Sequence, residues 1–245
     1  MKTPHSFEFN EDEIQIWSSP LIVSATSLSV LRGVLCEEET ERASRSSSGA
    51  FRDRFVAVRG TLRHLLGRYL RRAPDGIRFI YGPYGKPSVA SSDELQFSQT
   101  HSDDRVAYAF AHGCALGIDL ERLRAIPDME KIASRMFCAA ERAEIRQLPV
   151  HERERAFFSC WTRKEAYAKA EGLGLLAGFD SYRVTVRPGD QAQLVHIGFD
   201  TELAKAWSLD DLCLSADHTA ALAYPGARRS LSIFQVASLD EILES

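Results

Sequence analysis

From Phe51 the apolar residues Phe51, Phe55, Val58, Leu62, Leu65, Leu66 and Tyr69 return every three or four positions, which places them on one stripe of an α-helix. A stripe that long must be covered, and the residues around it read as short strands: 14–17 with 20–23 before it, then 77–81, 95–98, 105–110 and 115–120 after it. A polar loop at 44–49 separates the first strand from the helix. A second helical region is expected at 129–137, 139–148 and 152–171, ended by Gly172-Leu173-Gly174, since glycine commonly stands just past a helix end. Strands return at 182–186, 193–196, 212–215, 219–224 and 231–235. The order predicts an α+β fold in two similar halves, 1–122 and 123–245. Thr100-His101-Ser102-Asp103 and Ser215-Ala216-Asp217-His218, each ahead of an apolar run, fit a duplication and fit chance equally well.

Composition narrows the classes. With 44% apolar and 26% charged residues the chain has an ordinary globular balance, and its net charge of −4 gives no general reason to expect nucleic-acid binding. Arginine is unevenly spread, with Arg42, Arg45, Arg52, Arg54, Arg59, Arg63, Arg68, Arg71 and Arg72 in one early stretch. On α-helical spacing Arg52, Arg59 and Arg63 fall on one flank of the apolar stripe and Arg54 on the other. A local basic patch on an acidic protein suits a compact polyanion such as a nucleotide. Five cysteines without a C-x-x-C pair argue against a disulfide framework or a zinc site and for a reducing compartment. No secretory signal or bilayer-length apolar run is visible, so the expected location is the cytoplasm, with no membrane partner.

Four short constellations can carry chemistry. In Gly117-Ile118-Asp119-Leu120-Glu121 strand alternation puts Asp119 and Glu121 on one face. Paired carboxylates repel unless a cation lies between them, and hard oxygen ligands suit Mg²⁺; two solvated acids at a strand end explain the same residues. In the segment 161–169, Trp161, Glu165 and Lys169 share one helix face, where Glu165 and Lys169 also read as an ordinary helical ion pair. Thr100 and His101 occupy a strand-to-turn position suited to a phosphate or merely to the turn. Tyr84-Gly85-Lys86-Pro87 is a turn presenting one lysine.

Taken in this order and spacing, the four resemble the phosphopantetheinyl transferase superfamily: G-[IV]-D-[IL]-E, then W-x-x-K-E-[AS]-x-x-K-x-x-G-x-G roughly forty residues on, preceded by a G-K-P turn and an S/T-H-S turn. The length looks like the single-chain, surfactin-synthetase type. The resemblance implies two pseudo-symmetric halves, each a mostly antiparallel sheet packed on a long helix, in one monomeric chain with the active site between them. It implies an enzyme that moves 4′-phosphopantetheine from coenzyme A to a serine of an apo acyl or peptidyl carrier protein. Asp119, Glu121 and Glu165 would hold Mg²⁺. Lys169 would approach the attacked phosphate, with Glu165 as general base. Lys86, Thr100, His101 and Arg54 would contact the coenzyme's phosphates, with Arg42 and Arg45 as further candidates. Where the family has F-N-x-S-H-S, this chain has Ser98 in place of the Asn, which weakens any role expected of that position. The implied carrier surface is 126–148, with Lys131, Arg135, Met136, Phe137 and Arg142, although Met136 and Phe137 read equally as core. A magnesium-dependent nucleotide phosphohydrolase and a non-catalytic module binding coenzyme A or a carrier are the competing readings.

Overall fold

The structure, a computed structural model, describes residues 7–10, 12–90, 94–174, 178–187, 189–198 and 200–244. In chain order its elements are β1 (Glu13–Pro20), α1 (Ala25–Gly33), α2 (Glu37–Ser44), α3 (Gly49–Leu70), β2 (Phe79–Tyr81), β3 (Pro87–Val89), β4 (Leu95–Ser102), β5 (Arg105–His112) and β6 (Gly117–Arg122). There follow α4 (Met129–Met136), α5 (Ala139–Gln147), α6 (Val150–Glu171), β7 (Tyr182–Val184), β8 (Leu194–Ile197), α7 (Thr201–Lys205), β9 (Trp207–Asp211), β10 (His218–Pro225), β11 (Ser230–Gln235) and α8 (Leu239–Glu244).

The apolar stripe predicted from Phe51 is α3. Ser48 caps it by accepting the Phe51 amide, and it ends on Arg71 in the left-handed region, where the Arg72 amide returns to the Gly67 carbonyl at 2.8 Å. Leu62, Leu65 and Leu66 are fully buried against Trp17, Phe97, Val106, Tyr108 and Phe110, which belong to a sheet of order β11-β1-β5-β4. The stripe's first member behaves differently: Phe51 is 57% exposed, because the helix start overhangs the sheet and borders a cleft.

A second sheet, β6-β10-β9, is antiparallel throughout and packs on α6, whose Ala166 and Ala170 are buried with Ala221 and Ala223. The other faces of the two sheets meet in a third apolar layer: Ile14, Ile16, Ala107 and Ala109 pack with Ile118, Leu120 and Leu222. The order of layers is therefore α3, sheet, sheet, α6. Each half is a mostly antiparallel sheet on a 22-residue helix, as the sequence leads one to expect. The halves are interlaced. β6 pairs with β10, while β11 runs parallel to β1 and α8 packs on α3, with Arg68 donating to the Ile242 and Leu243 carbonyls.

Three expectations need correction. No strand forms at 20–23: β1 ends at Pro20, and the chain runs irregularly from there into α1. The strand expected at 212–215 lies earlier, as β9: Trp207 and Leu209 fill the α6-facing core, whereas Leu212 only begins the link into β10. Arg59 and Arg63 are also less available than helical spacing suggests. They converge on buried Glu39 of α2, at 2.5 and 2.7 Å, so one carboxylate and two guanidiniums fix α2 to α3. This arrangement holds Glu39 below the usual carboxylate range: burial opposes that, and the bonds from Arg63 and Arg59 outweigh it.

Candidate active site

The site begins with Gly117. A Cβ built there would fall on the Ala166 carbonyl oxygen and the Ala170 nitrogen, and 2.8 Å from Lys169 Cβ. The missing side chain therefore lets β6 lie directly on the backbone of α6. That contact brings Asp119 beside Lys169, whose ammonium donates to Asp119 Oδ1 at 2.6 Å and to the Ile118 carbonyl at 3.2 Å.

β4 lies along the other side of β6 and is joined to it by side chains. Ser98, Thr100 and Ser102 point the same way by strand alternation. Ser98 Oγ accepts the Ile118 amide at 3.1 Å. Thr100 Oγ1 donates to Asp119 Oδ1 at 3.1 Å. Ser102 Oγ donates to Glu121 Oε2 at 2.8 Å and accepts the Arg122 amide. A hydroxyl at every second position thus replaces the missing backbone ladder and aims both acids. Ser98, expected to lose its role with the amide of the usual Asn, has a defined one. Ser102 belongs to the S/T-H-S turn but was given no role in the sequence, although its spacing from Thr100 carried the signal.

Glu165, one turn before Lys169, is 7% exposed. Burial first, and then the charges of Asp119 and Glu121, push its carboxyl up to about 7, with Lys169 opposing. Asp119 is likewise raised by burial, against the pull of Lys169. Its Oδ2 is buried without a hydrogen-bond partner. Among the described residues no three His, Cys, Asp or Glu side chains are gathered tightly enough to be a ready-made metal cage. The three acids nevertheless share one electrostatic environment, in which Lys169 supplies the positive charge.

Two neighbouring chambers, whose linings share Gly85, Pro87 and Gln99, lie beside this cluster, and Glu165 and Lys169 line the smaller of them. The larger, about 1140 Å³, is bordered by Arg42, Arg45, Arg54, Arg78, Phe79 and His101, among others. The smaller, about 330 Å³, is bordered by Tyr84, Lys86, Phe97, Glu165, Lys169 and Gly174, among others. His101 faces the larger chamber. Crowding by protein atoms first, then the cations Arg54 and Lys169, holds its imidazole below the ordinary range. Arg54, Arg42 and Arg45 are exposed along this chamber, and Arg78 adds a cation that the sequence reading did not single out.

Lys86 sits on the turn between β2 and β3 and donates to the Ala170 carbonyl at 2.7 Å and the Leu116 carbonyl at 3.3 Å. Burial lowers its pKa to about 8, partly offset by Glu171. The turn rests on the two glycines that end α6. Gly172, at φ +73°, leaves 3.4 Å between a would-be Cβ and Lys86 Cδ, and Gly174, at φ +69°, leaves 3.1 Å to Tyr84 Cβ. Side chains there would be strained and would press the turn outward.

The structure thus brings together Asp119, Glu121, Glu165 and Lys169, with Lys86 in the same small chamber and His101 and Arg54 in its larger neighbour. Thr100 stands behind Asp119. Lys164, the first charged residue of the K-E pair, is turned away from the cleft: fully buried, it meets fully buried Glu141 at 3.0 Å and donates to the Phe179 and Tyr182 carbonyls. In the expected carrier surface Phe137 is core, packed on Phe157 and Trp161, whereas Lys131 and Arg135 are exposed.

A family model for the 4′-phosphopantetheinyl transferase superfamily matches residues 115–223, the span that holds β6, α6 and most of β10. The chain is 35% identical over 221 residues to the 4′-phosphopantetheinyl transferase HetI of Nostoc, covering 87% of this chain and 90% of that protein. It is 30% identical to the putative 4′-phosphopantetheinyl transferase slr0495 of Synechocystis, covering 68% of each. It is also 30% identical to the 4′-phosphopantetheinyl transferase Sfp of Bacillus subtilis, covering 65% of this chain and 75% of that one. The chain belongs to the 4′-phosphopantetheinyl transferase superfamily.

Proposed function

We propose that this enzyme transfers 4′-phosphopantetheine from coenzyme A to a serine hydroxyl of an apo carrier protein, releasing adenosine 3′,5′-bisphosphate. The observation that carries the reading is the cluster of Asp119, Glu121, Glu165 and Lys169 beside two neighbouring chambers, the smaller lined by Glu165 and Lys169. One chamber is wide and arginine-lined, suited to a nucleotide. The other is narrow and suited to a slender arm.

The donor set fits Mg²⁺. Asp119 Oδ2 is buried and unpartnered, three carboxylates repel one another, and Lys169 already occupies the neighbouring Oδ1. Mg²⁺ uses few protein carboxylates and completes its shell with water and phosphate, so a preformed cage is not required. Asp119, Glu121 and Glu165 would hold the ion, which would neutralise diphosphate charge as a Lewis acid.

The chain's own residues do the remainder. Arg54 and His101 bind phosphate in the larger chamber. Lys86 spends two of its three protons on carbonyls and has the third for phosphate. Thr100 and Ser102 hold Asp119 and Glu121 in place. Glu165 takes the proton of the incoming serine as general base. The serine oxygen bonds to the β-phosphorus as the bond to the bridging oxygen breaks, and Lys169 stabilises the charge that develops. Two sheet-on-helix halves in one chain support a working monomer, and the free cysteines support a reducing, cytoplasmic setting. Among the described residues no helix is long and apolar enough to cross a membrane.

The test is intact mass spectrometry of an apo carrier domain incubated with coenzyme A, Mg²⁺ and enzyme. The expected outcome is a gain of one phosphopantetheine, abolished in Glu165→Gln with the fold retained. Free bisphosphate without carrier modification would mark a hydrolase and overturn the proposal, and wild-type turnover by Glu165→Gln would overturn the role given to Glu165.

A further inference from the structure

Among the described residues that line the cleft, Gly85, Pro87 and Gln99 border both chambers, and of the three only Gln99 has a hydrogen-bonding side chain. It sits on β4 between Phe97 and His101, on the strand face opposite the Ser98-Thr100-Ser102 ladder. Phe97 fills the core under α3, and His101 faces the larger chamber, so Gln99 occupies the throat between them. Its Oε1 is buried and has no hydrogen-bond partner.

An amide oxygen withdrawn from water and left unbonded is a cost to the folded state. Leucine at this position, beside Phe97, Gly85 and Pro87, would remove that cost. The fold therefore gives no reason for glutamine, and a ligand passing through the throat does. The occupant of the throat must offer a donor. A diphosphate offers only acceptors. The pantetheine arm beyond it carries a hydroxyl and two amide N–H groups.

We infer that Gln99 is a recognition residue for the pantetheine arm, its carboxamide bonding a hydroxyl or amide N–H where the arm leaves the diphosphate for the smaller chamber. The inference rests on the coenzyme placement proposed above. It assigns to β4 a contact with the transferred group, distinct from the nucleotide contacts of Arg54 and His101.

The test compares wild type with Gln99→Leu by calorimetric binding of coenzyme A and of adenosine 3′,5′-bisphosphate, together with thermal melting. The expected result is an affinity for coenzyme A about tenfold lower, the loss of one hydrogen bond or about 1.4 kcal/mol. Bisphosphate affinity is expected to stay within about twofold, with a melting temperature equal to or above that of wild type. Unchanged affinity for both ligands would overturn the inference. A lowered melting temperature with both affinities equally reduced would also overturn it, by showing that Gln99 serves the fold or the nucleotide. If wild type binds neither ligand, the coenzyme placement itself fails, and the inference with it.

Discussion

Lys164→Met removes one partner of a fully buried ion pair while keeping nearly the same side-chain volume, so cavity formation is a minor part of the effect. What remains is the Glu141 carboxylate, 3.0 Å from where the ammonium stood and 0% exposed. It keeps the Cys138 and Val184 amides, each at 2.9 Å, which tempers the loss. The Phe179 and Tyr182 carbonyls lose their donor. Breaking a buried pair from one side costs about 3–5 kcal/mol, a large share of the roughly 5–15 kcal/mol that holds a domain folded. With a urea m-value near the upper end of about 1–3 kcal/mol/M, expected for a chain of this size, the midpoint falls by about 1–2 M. Equilibrium urea denaturation followed by circular dichroism reads this directly. Adding Glu141→Gln removes the stranded charge and recovers at least about 1 kcal/mol, a coupling visible in a double-mutant cycle. Folded Lys164→Met keeps its transferase activity, because this ammonium does not reach the cleft. The reasoning fails if Lys164→Met lies within about 0.5 kcal/mol of wild type, or if the double variant is no more stable than the single one.

Two further variants carry expected outcomes. Lys86 is lowered to about 8 in the folded protein from an ordinary 10.5, so the cost of burying its charge is carried in full below about pH 8 and relieved as the pH rises from there toward 10.5. Over that window wild type should gain stability relative to Lys86→Met by about 1–2 kcal/mol, the full shift being discounted for partial solvent access. Affinity for coenzyme A should fall through about pH 8 in wild type and stay flat in Lys86→Met, as calorimetry across the range will show. Gly117→Ala forces β6 off α6, because its methyl would coincide with the Ala166 carbonyl oxygen. It should cost about 1–3 kcal/mol as overpacking and at least about tenfold in transfer rate as Asp119 and Lys169 separate; activity and a melting temperature equal to wild type would contradict the contact.

Much of this was legible in the sequence where local periodicity and short-range chemistry decide the structure. The stripe of α3, the shared face of Trp161, Glu165 and Lys169, the common face of Asp119 and Glu121, and the glycine stop after Glu171 all follow from spacing. Non-local features were not legible. α2 is polar all round apart from Ala43, and it forms because Glu39 is captured by two arginines about twenty residues away. The parallel pairing of β11 with β1 has no local signature either. Lys164 and Lys169 sit in one motif and look alike in sequence, yet one is buried against Glu141 and the other reaches Asp119 beside the cleft. The hydroxyl ladder of β4 was half visible. Its period of two was on the page, but that β6 lay alongside could be learned only from the fold.

The central claim is that Asp119, Glu121 and Glu165 converge on one divalent cation beside the coenzyme's diphosphate. Mn²⁺ titration in place of Mg²⁺, with free Mn²⁺ read by electron paramagnetic resonance, tests it most directly. With coenzyme A present, one tight site per chain is predicted for wild type, weakened at least about tenfold in folded Asp119→Asn and Glu165→Gln, a loss of about 1.4 kcal/mol or more. Equal affinity and stoichiometry in wild type and both variants would contradict the claim.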